Sequence, residues 1–233
     1  MANNDKQWCF TWIPDKPLPP GTVERAVLLL KYKWPEKSQI TISFLDGDPE
    51  VIQRVKTAAM AWTTPGPANL TFIFRTDTTD TDIRISFLYA GSWSVLGTSC
   101  KTITDLARPT MNFGWLNKDS TDAEVKRVVL HEFGHALGLI HEHLSPDPEH
   151  PIHWNKEKVI EDLSGPPNNW NMDTINTNMF QTFEASEANF TRLDPTSIMM
   201  YPIPAKWTTD GFSTGLNVEL SETDKNFIQT QYP

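Results

Sequence analysis

All six histidines of this 233-residue chain fall between His131 and His153. Three of them stand in His131-Glu132-Phe133-Gly134-His135-Ala136-Leu137-Gly138-Leu139-Ile140-His141. On a helix, side chains at i and i+4 lie about one turn apart on one face, so the His131 and His135 imidazoles can reach a single ion. Zn2+ suits such donors, taking nitrogen ligands at about 2.0–2.1 Å in a tetrahedral set. Continued as helix, His141 would point to the far side. Gly138 removes that obstacle, because glycine takes left-handed backbone and can turn the chain so that His141 returns to the same ion. Three neutral ligands leave the ion its full charge and an open position for water, whose pKa falls toward ~7. Glu132, adjacent to the first ligand, can face that water, accept its proton and pass it to a leaving amine. The residues therefore point to one catalytic Zn2+ on His131, His135 and His141, with Glu132 as general base and acid.

The composition excludes other chemistries. Acidic residues number 29 and basic ones 20, for a net charge of −9. Without a basic block, such a chain is a poor nucleic-acid binder. No run approaches the ~18 apolar residues of a membrane span, so neither nucleic acid nor membrane is expected as a partner. Hydrophobic residues make up 39%, with nine Trp and twelve Phe, enough to build a core. Two cysteines, Cys9 and Cys100, are too few for a disulfide scaffold or a cysteine-based zinc site. Three readings of Cys9 stay open: a bridge to Cys100, a free core thiol, or a thiolate reaching the metal from an inhibitory arm.

The elements that must position these residues are legible from periodicity. Residues 1–38 are broken by Pro14, Pro17, Pro19, Pro20 and Pro35 and punctuated by Trp8, Trp12 and Trp34. They read as an extended arm that packs on something. Ile40–Leu45 alternates as a strand. Asp48-Pro49 starts a helix carrying Val51, Val55, Ala58, Ala59 and Trp62, and Pro65-Gly66-Pro67 is expected to end it. Asp46 and Asp48 resemble the acidic switch of some pro-segments, but their place at a strand–helix turn favours capping. Leu70–Phe74, Ile83–Leu88, Trp93–Thr98 and Thr110–Phe113 follow as strands. Thr121 and Glu124 form a capping-box pattern ahead of an apolar face through Val125, Val128, Val129, Phe133, Ala136 and Leu137. His143–Asn217 reads as largely irregular. Ser221 caps a last helix over Asp224–Gln231. His143, His150 and His153 are expected in surface or supporting places, and Asp147 and Glu149 match no calcium loop.

The histidine segment resembles the zinc-binding consensus of the metzincin metallopeptidases. Glu142 directly after the third histidine makes it similar to the astacin family in particular. Asp194-Pro195-Thr196-Ser197-Ile198-Met199-Met200-Tyr201 resembles the astacin Met-turn, Ser-x-Met-x-Tyr. By that resemblance Met199 is an apolar floor beneath the metal. Tyr201 is a catalytic phenol that ligates zinc in an empty site or steadies the tetrahedral oxyanion. Met200 stands where animal astacins usually have His, and His143-Leu144-Ser145-Pro146 replaces their Ser-Arg stretch. The resemblance implies an α+β, metzincin-type catalytic domain of two lobes. The upper lobe, 39–138, would carry a twisted, mostly parallel sheet of about five strands with two helices. The lower lobe, 139–233, would be irregular with a C-terminal helix, and 1–38 would be the N-terminal arm.

The function so implied is a monomeric zinc endopeptidase acting on peptide or protein substrates. Rival readings are an impaired zinc protein serving as a binding or adhesion module, and a hydrolase of non-peptide amides. Peptide would add as a strand along Trp93–Thr98, where Gly97 allows close backbone approach. The family implies an extracellular setting, although Met1–Gln7 lacks the apolar region of a secretory signal.

Overall fold

The structure is a computed structural model. It describes residues 9–12, 28–63, 66–144, 151–166, 168–180, 188–189 and 192–233, with backbone alone at 9–12, 28–29 and 188–189. The alternating residues of β3 (Gln39–Phe44) bury Ile40 and Ile42 completely, which makes it a central strand of the sheet. Around it lie β4 (Thr71–Phe74), β5 (Ile83–Ser86), β7 (Met111–Phe113), β6 (Ser92–Val95) and β1 (Cys9–Trp12), in the order β1-β6-β7-β5-β3-β4. Every pairing is parallel except β6 with β7. This is the α+β, mostly parallel arrangement expected, with one addition. Part of the proline-rich arm is itself a strand, β1, and it runs parallel to β6 with Cys9 opposite Ser92.

Two helices pack against the sheet core. In α1 (Pro49–Ala59) the Asp48 carboxylate accepts the Glu50 N–H at 2.9 Å and proline occupies the first turn, while Val51, Val55 and Ala59 face inward. Asp46 accepts from Ser86 Oγ at 2.6 Å and Phe87 N at 2.8 Å, so both acids serve this turn. In α2 (Asp122–Ala136) the Thr121 hydroxyl accepts the Glu124 N–H, and the helix buries a continuous face from Val125 to Ala136. The last carbonyls of a helix lack partners within it. Here Trp34 Nε1 donates to Ala136 O at 2.8 Å and the Tyr232 hydroxyl to Leu137 O at 2.7 Å. Trp62 Nε1 donates to Leu130 O at 2.9 Å. Residues from near both chain ends thus hold the helix that carries two of the three histidines.

Between His143 and Asn217 the chain adds to the expected irregular path α3 (Lys156–Ser164) and the single turn α4 (Met172–Ile175) with a wider turn over residues 176–180. The last helix expected is α5 (Glu222–Gln231). Val159 and Leu163 of α3 join Ile175, Met179, Met200, Tyr201, Ile203 and Trp207 in a second apolar cluster. The reason α3 escapes the sequence pattern is its size: its buried face is one i, i+4 pair, too short for a periodic signal. In α5, Ser221 and Asp224 make the full reciprocal capping box. A short antiparallel pair joins β2 (Leu28–Leu29) to β8 (Ala188–Asn189).

Two finer expectations are corrected. The fourth strand stops at Val95, and Gly97, with φ +47°, opens a tight turn over Gly97–Thr102. A side chain on Gly97 would collide with the Tyr32 carbonyl, so its close approach is to this chain and not to a substrate. Among the described residues, Cys100 is a buried thiol with no disulfide. Burial pushes that thiol up to about 12. The Cys9 side chain lies outside the described residues. Among the described residues, no helix is long and apolar enough to cross a membrane.

Candidate metal centre and active site

The ring nitrogens of His131, His135 and His141 offer one donor atom each within 4.8 Å of one another, and all three residues are buried. Their orientation is set from behind. His131 Nδ1 lies 2.8 Å from Ile198 O, and His135 Nδ1 lies 2.8 Å from Leu139 O. A carbonyl only accepts, so both Nδ1 atoms carry the proton and both Nε2 atoms keep a lone pair for a metal. His135 Nε2 stands 3.2 Å from His141 Nε2. Two nitrogens of one tetrahedral zinc are about 3.3 Å apart. His131 Nε2 is buried and makes no hydrogen bond. A buried group of inward-facing lone pairs suits a cation, so these residues fit zinc.

The turn that returns His141 works as its residues require. Gly138 has φ +95°. Gly138 N donates to His135 O at 2.8 Å and Leu139 N to Gly134 O at 3.0 Å, the paired bonds that close a helix on a left-handed glycine. Burial lowers the basicity of all three imidazoles. His131 falls to about 4 and His135 and His141 fall well below the ordinary histidine value. They are neutral at pH 7, the state a metal needs.

Glu132 is completely buried on α2, between His131 and Phe133. The Met-turn lies directly under the helix. A side chain on Gly134 would collide with the sulfur of Met199, so this glycine is what lets Met199 seat there. The same turn holds two ligand-side groups: Ile198 O meets His131, and Met199 O accepts the Glu142 N–H at 3.0 Å. It is pinned by Asp224, whose carboxylate accepts from Ser197 Oγ at 2.7 Å and Ile198 N at 2.8 Å. Glu142 is half-buried, and desolvation of its carboxyl pushes it up to about 8, although it accepts the Asp194 N–H at 3.0 Å.

Tyr201 is buried, its ring centroid 4.1 Å from that of His141 and 6.3 Å from that of His131. The structure thus brings His131, His135, His141, the Met-turn and Tyr201 into one neighbourhood, with Glu132 buried on the same helix as the first two. It adds two that sequence reasoning missed. Gly134 and Asp224 carried no local signal beyond a helix glycine and a cap. Of the two places expected for His143, surface or supporting, the structure gives the second: it is buried and its ring stacks on Tyr201 at 4.6 Å. His153 is exposed, and His150, Asp147 and Glu149 lie outside the described residues.

The chain is similar to known proteins. Residues 30–232 match the family model Astacin, a family of peptidases. A solved structure titled "Structure of myroilysin" is 42% identical, with a TM-score of 0.84, covering 89% of this chain and 98% of that one. A second, "Crystal structure of myroilysin", is 40% identical with a TM-score of 0.67, covering 97% and 90%. High choriolytic enzyme 1, a hatching enzyme zinc-protease from the medaka fish Oryzias latipes, shares the fold at 18% identity and a TM-score of 0.55, covering 85% of this chain and 92% of that one. No curated protein sequence matches the chain.

Proposed function

Because the chain belongs to the astacin family of zinc metallopeptidases and is a zinc metalloendopeptidase acting on peptide or protein substrates, we propose that His131, His135 and His141 hold its zinc and that Glu132 carries the proton of the hydrolysis. The observation that supports this most is the convergence of three buried imidazoles, two of them held through Nδ1 by backbone carbonyls. Zinc bound there supplies a Lewis acid that polarises a carbonyl and lowers the pKa of water toward ~7. Glu132, one residue from the first ligand and sealed from solvent, takes a proton from the attacking water and returns it to the departing amine. Tyr201, packed on His141, donates its phenol hydrogen to the oxyanion of the tetrahedral intermediate.

In this reading the cleft lies between an upper lobe, 39–138, and a lower lobe, 139–233, with 1–38 as the arm, and the enzyme acts as a monomer. Substrate adds as a strand at β6, where backbone bonds give affinity. In the structure β1 occupies that side of β6. A chain beginning at residue 28 should therefore cleave a peptide faster than the full chain; equal rates would mean that substrate uses another edge.

The direct test is Glu132→Ala. Activity on casein should fall by about 10²–10⁴-fold while zinc stays bound at one per chain. Full cleavage by a zinc-loaded variant would overturn the role of Glu132.

A further inference from the structure

We propose that His143 is a positioning residue for the reaction: it holds the Tyr201 ring against ligand His141, and is itself anchored by the carbonyl of Asn178. The inference rests on the proposed role of Tyr201 at the oxyanion and goes one residue further.

Five contacts carry it. The His143 and Tyr201 rings stack with centroids 4.6 Å apart and planes 25° apart. The Tyr201 ring also packs on His141 at 4.1 Å, and His141 and His143 lie 5.4 Å apart. The three rings therefore touch one another, and the phenol cannot move without disturbing both imidazoles. His143 Nε2 lies 2.7 Å from Asn178 O. Since a carbonyl only accepts, Nε2 is the donor and the ring is fixed in one orientation. Trp154 meets His143 edge-on at 5.9 Å and closes another side.

The choice of histidine argues for more than filling space. His143 Nδ1 is buried and makes no hydrogen bond, and a buried polar atom without a partner is costly. Phenylalanine would stack on Tyr201 without that cost. What imidazole adds is the Asn178 bond, which ties the Tyr201 ring to the 176–180 turn. The turn in turn is seated in the second apolar cluster through Met179. A phenol that must meet a developing oxyanion needs such a wall, because a displacement of about 1 Å can cost about 10²-fold in rate.

The test is a double-mutant cycle on the zinc-loaded full chain, with kcat and KM measured on one peptide. His143→Ala should lower kcat about tenfold, leave KM within about twofold, and retain one zinc per chain. His143→Phe keeps the ring and loses only the Asn178 bond, so its kcat should fall about threefold. In a Tyr201→Phe background neither change should lower kcat further. Equal losses in both backgrounds, or losses that track zinc content, would overturn the proposal by showing a general structural role. The Phe variant and the cycle keep the test decisive if the Ala variant folds poorly, since misfolding would depress both backgrounds alike. If Tyr201→Phe is itself fully active, the oxyanion role fails and this inference with it. If Tyr201→Phe is impaired while both His143 variants equal wild type, only this inference fails.

Discussion

The two sides of the metal centre are built by different means. His131 and His135 ride on α2, a regular helix seated against the sheet through Val128, Val129, Leu130 and Phe133, all fully buried. His141, His143 and Tyr201 stand on turns, and their places depend on single polar contacts: Asp224 to the Met-turn, Asn178 to His143, and Thr214 Oγ1, which donates to Tyr201 O at 2.5 Å. Many apolar contacts share the load on the helix side, so position there is a by-product of folding. On the turn side a few hydrogen bonds set the geometry, and losing one moves a functional group without unfolding the chain.

That contrast can be broken or sharpened by substitution. The largest stability effect is expected at Trp34, whose loss opens a cavity in the core and leaves Ala136 O without its donor. Trp34→Ala should cost about 3–5 kcal/mol in urea unfolding, while the fraction still folded keeps its zinc affinity. A loss of zinc affinity there would blur the two sides into one. Next comes Asp224→Ala, which strands Ser197 Oγ, Ile198 N and Ser221 N. It should cost about 2–3 kcal/mol and also weaken zinc by about 10–100-fold, because Ile198 O orients His131. Chelator competition measures this, and unchanged affinity would mean that the Met-turn does not set the ligand. The smallest effect is expected at Lys206, whose ion pair with Asp162 at 2.7 Å is more than half exposed on the lysine side. Lys206→Ala should change stability by about 0.5 kcal/mol; a loss several times larger would show that this surface pair braces α3, which carries Asp162.

How much could be read in advance follows the same division. Ile40 and Ile42 announce a strand by alternation, Asp48-Pro49 announces α1, and Thr121 with the Val125–Leu137 face announces α2. Each signal is carried by neighbours within a few residues. Gly138 also announces itself, because helix continuation would have misplaced His141. The stretch after Glu142 carried weaker signals. α3 buries only Val159 and Leu163, and Asn155 before it is a cap that several Asn in the region could equally have been. The arm was legible as proline-broken, yet its Cys9–Trp12 strand was not, because pairing to β6 across some eighty residues leaves no local trace.

Local spacing was enough to propose the ligand set and the general base. The i, i+4 separation of His131 and His135, Glu132 between them and Gly138 beyond are near-neighbour facts, and helix geometry turns them directly into a metal face. Only the folded chain reveals that His143 lies buried on Tyr201, that Asp224 pins the Met-turn, that Gly134 makes room for Met199 and that β1 lies along β6. These contacts join residues 26 to 83 positions apart. Chain spacing sets no distance across such loops, so only the packing of the two cores brings those atoms together.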